Sequence, residues 1–412
     1  MRRMQLFNSK SGVVEGFIPQ QPGVVRAYVC GPTVYDRCHI GHARTYVNFD
    51  VLKRYMTASG FEFLHVQNFT DVDDKITLRA ADDGLTPLAL ADRFIEEYFR
   101  DMDALNVRRA TVYARASDYI PKIVGITEEL LRKGVAYRSG NTVFFDVEGA
   151  GGFGELVKDV EGAVMDKLER SGKRGPFDFV LWRQAGEREQ AWESPLGRGR
   201  PGWHTECVAM ALTNLGETLD IHWGGKDLIY PHHECEAAIA KALTGKTFVR
   251  YWLHNNFVLM TGSKMSKSTG KLVYIRDVLK RHSPDALRLF ILSKNYREQI
   301  EYSEERLAAA EESLEAIRSG AEAARGGRRG PEMSGCVKEY TSMFFNALDD
   351  DLQTGQALAL LEVLSREITG GSPRKDFTGA ARIYDAAEEI LGIRLGGGSA
   401  GGSAHERLQR SK

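Results

Sequence analysis

A histidine pair around a glycine, His39-Ile40-Gly41-His42, and a double-lysine run, Lys264-Met265-Ser266-Lys267-Ser268, are the segments of this chain best suited to phosphate chemistry. The first lies where an apolar run over 26–30 turns toward a helical stretch over 43–55. The imidazoles then sit beside backbone N–H groups whose partial positive charge attracts phosphate. Gly41, lacking a side chain, lets a flat adenine approach the backbone. The second segment puts Lys264 and Lys267 on a Ser/Gly-rich loop over 261–270, suited to neutralising charge that builds on a departing pyrophosphate. Alone, the tetrads read as an ordinary turn and a solvated loop. In this order, 225 residues apart (264 minus 39), they read as one nucleotide-activation signature.

A second chemistry is available to sulfur. The five cysteines, Cys30, Cys38, Cys207, Cys235 and Cys336, are odd in number and sparse, and residues 1–10 carry no apolar leader. This argues for a reducing cytoplasm rather than a disulfide framework and leaves metal ligation or packing as their roles. In Pro231-His232-His233-Glu234-Cys235-Glu236, His232 and Glu236 are four apart and share a helical face, with Pro231 suited to the first turn. Zinc prefers thiolate and imidazole, so Cys30, Cys207, His232 and Glu236 form a candidate set. On spacing alone the plainer reading is a capped surface helix, with the cysteines as small core hydrophobes.

The two tetrads resemble, letter for letter, the signature motifs of class I aminoacyl-tRNA synthetases. Further blocks narrow the resemblance to cysteinyl-tRNA synthetases, over residues 1–395: Cys30-Gly31-Pro32-Thr33-Val34-Tyr35-Asp36, Asn68-Phe69-Thr70-Asp71-Val72-Asp73-Asp74-Lys75, Asp178-Phe179-Val180-Leu181-Trp182, Gly199-Arg200-Pro201-Gly202-Trp203-His204-Thr205-Glu206-Cys207, and Gly224-Gly225-Lys226-Asp227-Leu228 running into Pro231-His232-His233-Glu234. The resemblance implies activation of L-cysteine by ATP with Mg2+ and transfer of the cysteinyl group to the 3′ end of tRNA(Cys). It implies that His39, Gly41, His42 and Lys267 bind ATP and that His39, His42, Lys264 and Lys267 are catalytic. It further implies one zinc ion, held at the positions of Cys30, Cys207, His232 and Glu236, that binds the substrate thiolate. Thr70 and Trp203 match positions that wall the cysteine pocket, and Asp227 matches an aspartate near the amino acid and adenylate.

Zinc would explain the selectivity. Serine differs from cysteine by one atom, which packing discriminates only modestly, whereas zinc prefers thiolate over hydroxyl. Four protein ligands leave no open position, so the substrate sulfur has to be a fifth ligand or displace a weakly held one, such as Glu236. Cys235, at i+3 from His232, is the alternative fourth ligand. Cys38 and Cys336 read as packing residues, His233 as an orienting or capping residue, and Asp73 and Asp74 as a turn and helix cap.

These side chains need a scaffold that brings distant segments together. With 412 residues, 42% of them hydrophobic, the chain exceeds one ordinary domain and can build a substantial core. No stretch approaches a membrane span, so a soluble protein is expected. Charges nearly cancel, 55 basic against 56 acidic, so RNA has to be met by local patches. Candidates are Lys173-Arg174, Arg198 with Arg200, Lys264 with Lys267 and Lys271, and Arg325 with Arg328 and Arg329.

The expected fold is α/β: a Rossmann-like doubly wound parallel sheet of the class I type with an inserted connective domain, followed by a C-terminal α-helical bundle. Residues 1–115 and 199–258 form the two halves of the catalytic domain and 116–198 the insertion. Residues 259–302 form a stem-contact region that leads to Asp285-Ala286-Leu287-Arg288, which resembles the signature of the helical anticodon-binding domains of the class, 303–395 form the bundle, and 396–412 a Gly/Ser-rich tail. Residues 319–331 read as a linker, and 346–351 as the opening of another helix. A monomer is expected. The small anticodon module usual in the family has no counterpart here, which keeps a second reading in view, a cysteine ligase of mycothiol synthesis joining cysteine to an amino sugar. A non-catalytic cysteine- or tRNA-binding regulator is disfavoured by two intact activation motifs.

Overall fold

The computed structural model describes residues 4–157, 172–186, 189–260, 272–327, 333–371 and 376–396, and the backbone of 263–264. A hairpin, β1 (Gln5–Asn8) and β2 (Val13–Gly16), precedes the central sheet. The sheet begins with β3 (Val24–Val29), α1 (Ile40–Ala58), β4 (Glu62–Phe69), α2 (Asp74–Asp82), α3 (Pro87–Ala104) and β5 (Val112–Arg115). Local chemistry sets these helix starts: the Asp73 carboxylate accepts from Lys75 N, and the Thr86 hydroxyl caps α3 ahead of Pro87.

Next come α4 (Ile120–Arg132) and a four-stranded antiparallel sheet, β6 (Ala136–Ser139), β7 (Thr142–Phe145), β8 (Phe179–Gln184) and β9 (Gly199–Pro201). The chain then returns through α5 (Trp203–Leu215), β10 (Leu219–Gly225), α6 (Glu234–Thr244) and β11 (Val249–Asn255). The central strands lie in the order β11-β10-β3-β4-β5, all parallel. Alternate side chains of β3 feed two cores: Ala27 and Val29 pack with α1, Tyr28 and Cys30 with α5. Winding reverses between β3 and β10, so a crevice opens beyond their carboxyl ends.

Beyond the sheet lie β12 (Val258–Met260), β13 (Ser263–Lys264), α7 (Ile275–Leu279), α8 (Pro284–Leu292) and β14 (Ile300–Tyr302). Four helices follow, α9 (Glu304–Gly326), α10 (Gly335–Asp349), α11 (Thr354–Thr369) and α12 (Ala381–Leu391). No helix among the described residues is long and apolar enough to cross a membrane.

Two expectations change here. Residues 319–326 are helical, not linker: a Cβ on Gly320 would meet Ser365 Oγ at 2.3 Å, so this glycine lets α9 and α11 approach closely. The rest of that expected linker, apart from Gly327, lies outside the described residues. The acidic run 346–351 ends α10 rather than opening a helix. Asp351 takes φ +49°, and its buried carboxylate accepts from Phe7 N (2.8 Å), Tyr296 Oη (2.7 Å) and Arg297 Nε (2.6 Å).

His282 ties α9 to the segment before α8, with Nδ1 3.0 Å from Glu311 and Nε2 3.1 Å from Glu304. The Glu311 hydrogen bond, then that of Glu304, raises its pKa above the ordinary 6.5. A raised histidine stabilises fully below its unfolded pKa and loses that contribution as pH climbs through the folded value. Titration followed by NMR should place His282 above 6.5, and E311Q should lower it; an unchanged midpoint would exclude Glu311 as the cause.

Candidate active site and metal cluster

A cleft of about 480 Å³ opens at the carboxyl ends of β3 and β10, lined by Cys30, His39, Gly41, His42, Trp203 and Asp227 among others. Its floor depends on residues without side chains. A Cβ on Gly31 would sit 1.6 Å from the Asn68 carbonyl oxygen, and one on Gly224 would sit 2.7 Å from the His233 ring.

His39 and His42 form the N-terminal cap of α1. His39 Nδ1 accepts from Gly41 N at 3.1 Å, His42 Nδ1 accepts from His39 N at 3.3 Å, and the rings stack at 3.9 Å. Both Nδ1 atoms thus cap backbone, so the opposite ring edges are the ones suited to meeting a nucleotide. The segment after the lysine run is bonded to this motif: Ile40 N donates to Val273 O, and Ile275 N to Cys38 O, both at 3.0 Å. Lys264 is described in its backbone, where β13 pairs with β12; Lys267 lies outside the described residues.

Cys30 lines the cleft, and behind it Cys207, His232 and Glu236 converge on it, one donor atom from each of the four lying within 4.8 Å of all the others. Cys30 follows β3, Cys207 lies in α5, Glu236 in α6 and His232 just before it, all buried. His232 Nε2 is 2.9 Å from Glu236 Oε1 and 3.5 Å from Cys207 Sγ. Burial works against charge on Glu236, yet His222 and His232 more than offset it and hold the carboxyl at about 2. Burial likewise opposes the His232 cation, but Glu236 and Cys207 raise its pKa to about 10. The neighbouring Cys30 thiol, then His232, lowers Cys207 to about 6, while burial pushes Cys30 up. Two thiols, an imidazole and a carboxylate are a donor set that suits zinc.

Cys235 is buried among apolar residues of the core and is not part of this cluster. Trp203 is 42% exposed and stacks on His232 at 4.0 Å, so it is a wall residue and not a core aromatic. Thr70 is buried behind Gly31 of the cleft floor. Its hydroxyl accepts from Asn68 Nδ2 at 3.3 Å, and Asn68 Oδ1 accepts from Gly31 N at 2.7 Å, so Thr70 reaches the cleft through Asn68.

Sequence reasoning missed three imidazoles, His222, His204 and His254, and left the partners of His233 open. His222 Nε2 lies 2.9 Å from Glu236 Oε2, and His204 Nδ1 lies 2.9 Å from His232 Nδ1. His254 Nε2 meets His233 Nδ1 at 2.8 Å, and His233 Nε2 lies 3.3 Å from the Cys30 sulfur. Cys30, His222, His233 and Glu236 therefore form a second grouping that shares two members with the first. For His222 and His254 the missed signal was an imidazole inside an apolar strand, Leu219-Asp220-Ile221-His222-Trp223 and Tyr251-Trp252-Leu253-His254, where burial requires a polar partner.

A family model described as tRNA synthetases class I (C) catalytic domain matches residues 17–312. The Cysteine–tRNA ligase of Thermotoga petrophila is 44% identical over 400 residues, covering 95% of this chain and 86% of that protein. The Cysteine–tRNA ligase of Moorella thermoacetica is 43% identical over 414 residues, covering 95% and 87%. Among solved structures, Mycobacterium tuberculosis methionyl-tRNA synthetase bound by methionyl-adenylate superposes with TM-score 0.69 at 15% identity, covering 90% of this chain and 93% of that one. An Agrobacterium radiobacter LeuRS–tRNA complex gives 0.64 at 12%, covering 91% and 83%. Those two likenesses speak for the fold, a class I doubly wound sheet with a helical C-terminal region, and the sequence matches speak for the family. On the strength of a catalytic-domain match over most of its length and relatives above 40% identical across it, the chain belongs to the cysteinyl-tRNA synthetases.

Proposed function

We propose that the chain activates L-cysteine with ATP and Mg2+ and passes the cysteinyl group to the 3′ end of tRNA(Cys), releasing AMP and diphosphate. The observation that carries this reading is Cys30, which belongs both to the cleft beside the histidine pair and to the buried donor cluster. A nucleotide-binding motif and a thiol-selective site thereby face one cavity. Nothing in the site favours an amino sugar as acceptor.

In the first step the cysteine carboxylate attacks the α-phosphate in line and diphosphate leaves. In the second a ribose hydroxyl at the tRNA 3′ end attacks the carbonyl and AMP leaves. His39 and His42 present their outer edges to the phosphates, and Gly41 leaves room for the adenine. Lys264 and Lys267 neutralise the departing diphosphate. Cys30, Cys207, His232 and Glu236 would hold zinc, which supplies a soft acid preferring thiolate over hydroxyl. Trp203 and Thr70 wall the amino-acid pocket, Thr70 through the Asn68 amide that holds Gly31, and Asp227 lies near the amino acid and the adenylate.

The division expected from the sequence is retained as part of the proposal: catalytic halves at 1–115 and 199–258, insertion at 116–198, stem contact at 259–302, bundle at 303–395 and tail at 396–412. The antiparallel sheet between β5 and α5 and the helices from α9 onward support it. Five free cysteines support a reducing cytoplasm, and a monomer is the simplest assembly.

The test is transfer of labelled cysteine onto tRNA(Cys) by zinc-replete protein, with serine and tRNA(Ser) as controls. Charging of tRNA(Cys) alone supports the reading; cysteine-dependent pyrophosphate exchange without charging would transfer it to the amino-sugar ligase. In the same assay K267A should lower the exchange kcat by about 10²-fold and leave the cysteine KM within about twofold. A collapse of cysteine affinity would remove Lys267 from its assigned role.

A further inference from the structure

We propose that Glu234 is a positioning residue for the metal cluster, its carboxylate latching the glycine-rich loop of the insertion onto the helix that carries Glu236. The proposal rests on the zinc reading of Cys30, Cys207, His232 and Glu236. Glu234 opens α6 and is 1% exposed. Its Oε1 accepts from Gly154 N (2.7 Å) and Glu155 N (2.9 Å), and its Oε2 from Leu156 N (2.7 Å) and Val157 N (2.9 Å). Four consecutive backbone donors converging on one carboxylate make an anion nest. Gly154 adopts φ +128°, a conformation that side-chain-bearing residues rarely reach. Charge-assisted bonds to both oxygens offset the burial of the carboxylate.

The latched loop leads to the cluster along two routes. Phe153, next to the nest, stacks on Phe179 at 6.3 Å and lies edge-on to Tyr230 at 6.1 Å. Phe179 meets His204 edge-on at 5.3 Å, and His204 Nδ1 holds His232 Nδ1 at 2.9 Å, leaving His232 Nε2 toward Cys207 and Glu236. On the other side Glu155 pairs with Lys10 Nζ at 2.9 Å, and the neighbouring Ser9 Oγ lies 2.7 Å from His254. His254 holds His233, which abuts the Cys30 sulfur. One carboxylate thus fixes the loop that backs both sulfur- and nitrogen-bearing sides of the cluster. Partners that orient metal ligands typically account for about 10- to 100-fold in metal affinity.

The experiment measures zinc affinity by chelator competition, alongside KM for cysteine and for ATP in pyrophosphate exchange, for the full chain and for E234Q, F153A and C207S. E234Q keeps shape but turns one oxygen into a donor facing two N–H groups. It should weaken zinc affinity about 10- to 100-fold and raise the cysteine KM about tenfold, with the ATP KM within about twofold. F153A leaves the latch bonds intact and should shift the same two quantities by a smaller factor, about two- to fivefold; it decides the matter if E234Q does not fold. Unchanged zinc affinity in both folded variants overturns the latch, as does an equal rise in both KM values at constant zinc affinity. C207S separates the two readings. If it retains zinc like the parent chain, the metal assignment fails and the latch with it; if it loses zinc while E234Q and F153A do not, the latch alone fails.

Discussion

Replacing Cys207 by Ser should strip bound zinc and abolish cysteine activation together, lowering kcat/KM for cysteine on the order of 10³-fold or more. The magnitude follows from comparison: loss of a partner that only orients a ligand costs about 10- to 100-fold, and a direct ligand must exceed that. Cys207 is also the sulfur with the lower pKa, about 6, because the Cys30 thiol beside it and then His232 favour its thiolate. Serine keeps the size of the side chain and removes the soft donor, so the fold should persist. Zinc content by atomic spectroscopy, ATP affinity and cysteine KM read the outcome. Full metal content with intact cysteine affinity would defeat the zinc assignment, whereas loss of ATP affinity as well would indicate collapse of the cleft.

The second large effect concerns a charge network far from the cleft. Asp50 of α1 is fully buried and accepts from Arg54 Nε at 2.6 Å, from Arg108 N at 2.9 Å and from the Arg288 guanidinium of α8. Arg288 also reaches the carbonyls of Leu391 and Leu105, and Arg54 those of Glu389 (3.0 Å) and Asn106 (2.6 Å). The helix bearing the histidine pair is thereby joined to the end of α12. Asp50→Ala strands two buried cations and should destabilise the protein by about 3–5 kcal/mol in denaturant titration. The triple change of Asp50 to Leu and both arginines to Met should recover much of that loss. A penalty below about 1 kcal/mol for Asp50→Ala would show that the network is dispensable.

This network also predicts an acid limit. Burial alone would raise the Asp50 pKa, but Arg288, Arg54 and the backbone bond from Arg108 carry it below the ordinary 3.8. A depressed carboxyl contributes stability above its unfolded pKa and loses it as pH falls through the folded value. The Asp50 contribution should accordingly be whole at neutral pH and fade below about pH 4.

Much of the catalytic sheet could be read directly because its signals are local. Apolar runs at 24–29, 62–68 and 219–223 are strands, and Asp73 caps α2 as its position suggests. The grouping of Cys30, Cys207, His232 and Glu236 came from resemblance; spacing alone argued against it. What stayed hidden is governed by tertiary partners. Gly320 looks like a helix breaker until Ser365 is placed against it. The run at 346–351 looks like a helix start until Phe7, Tyr296 and Arg297 draw Asp351 into a left-handed turn. Glu234 passes for an ordinary first-turn acid, since its four donors lie 77 to 80 residues earlier. Thr70 touches Asn68, which holds Gly31, a link that only the fold reveals.

The junction of β3 with β10 has a consequence for how the molecule is made. Cys30 and Cys207 are 177 residues apart (207 minus 30), and the parallel pair between them registers Ala27 with Ile221. Closing a flexible loop of that length carries an entropy term of about 4 to 5 kcal/mol, which strand pairing and core formation have to overcome before any cleft exists. The nascent chain therefore completes its histidine motif early and its cysteine cluster late. If the cluster holds zinc as proposed, the ion doubles as a clasp, and its retention reports that the two halves of the sheet have met.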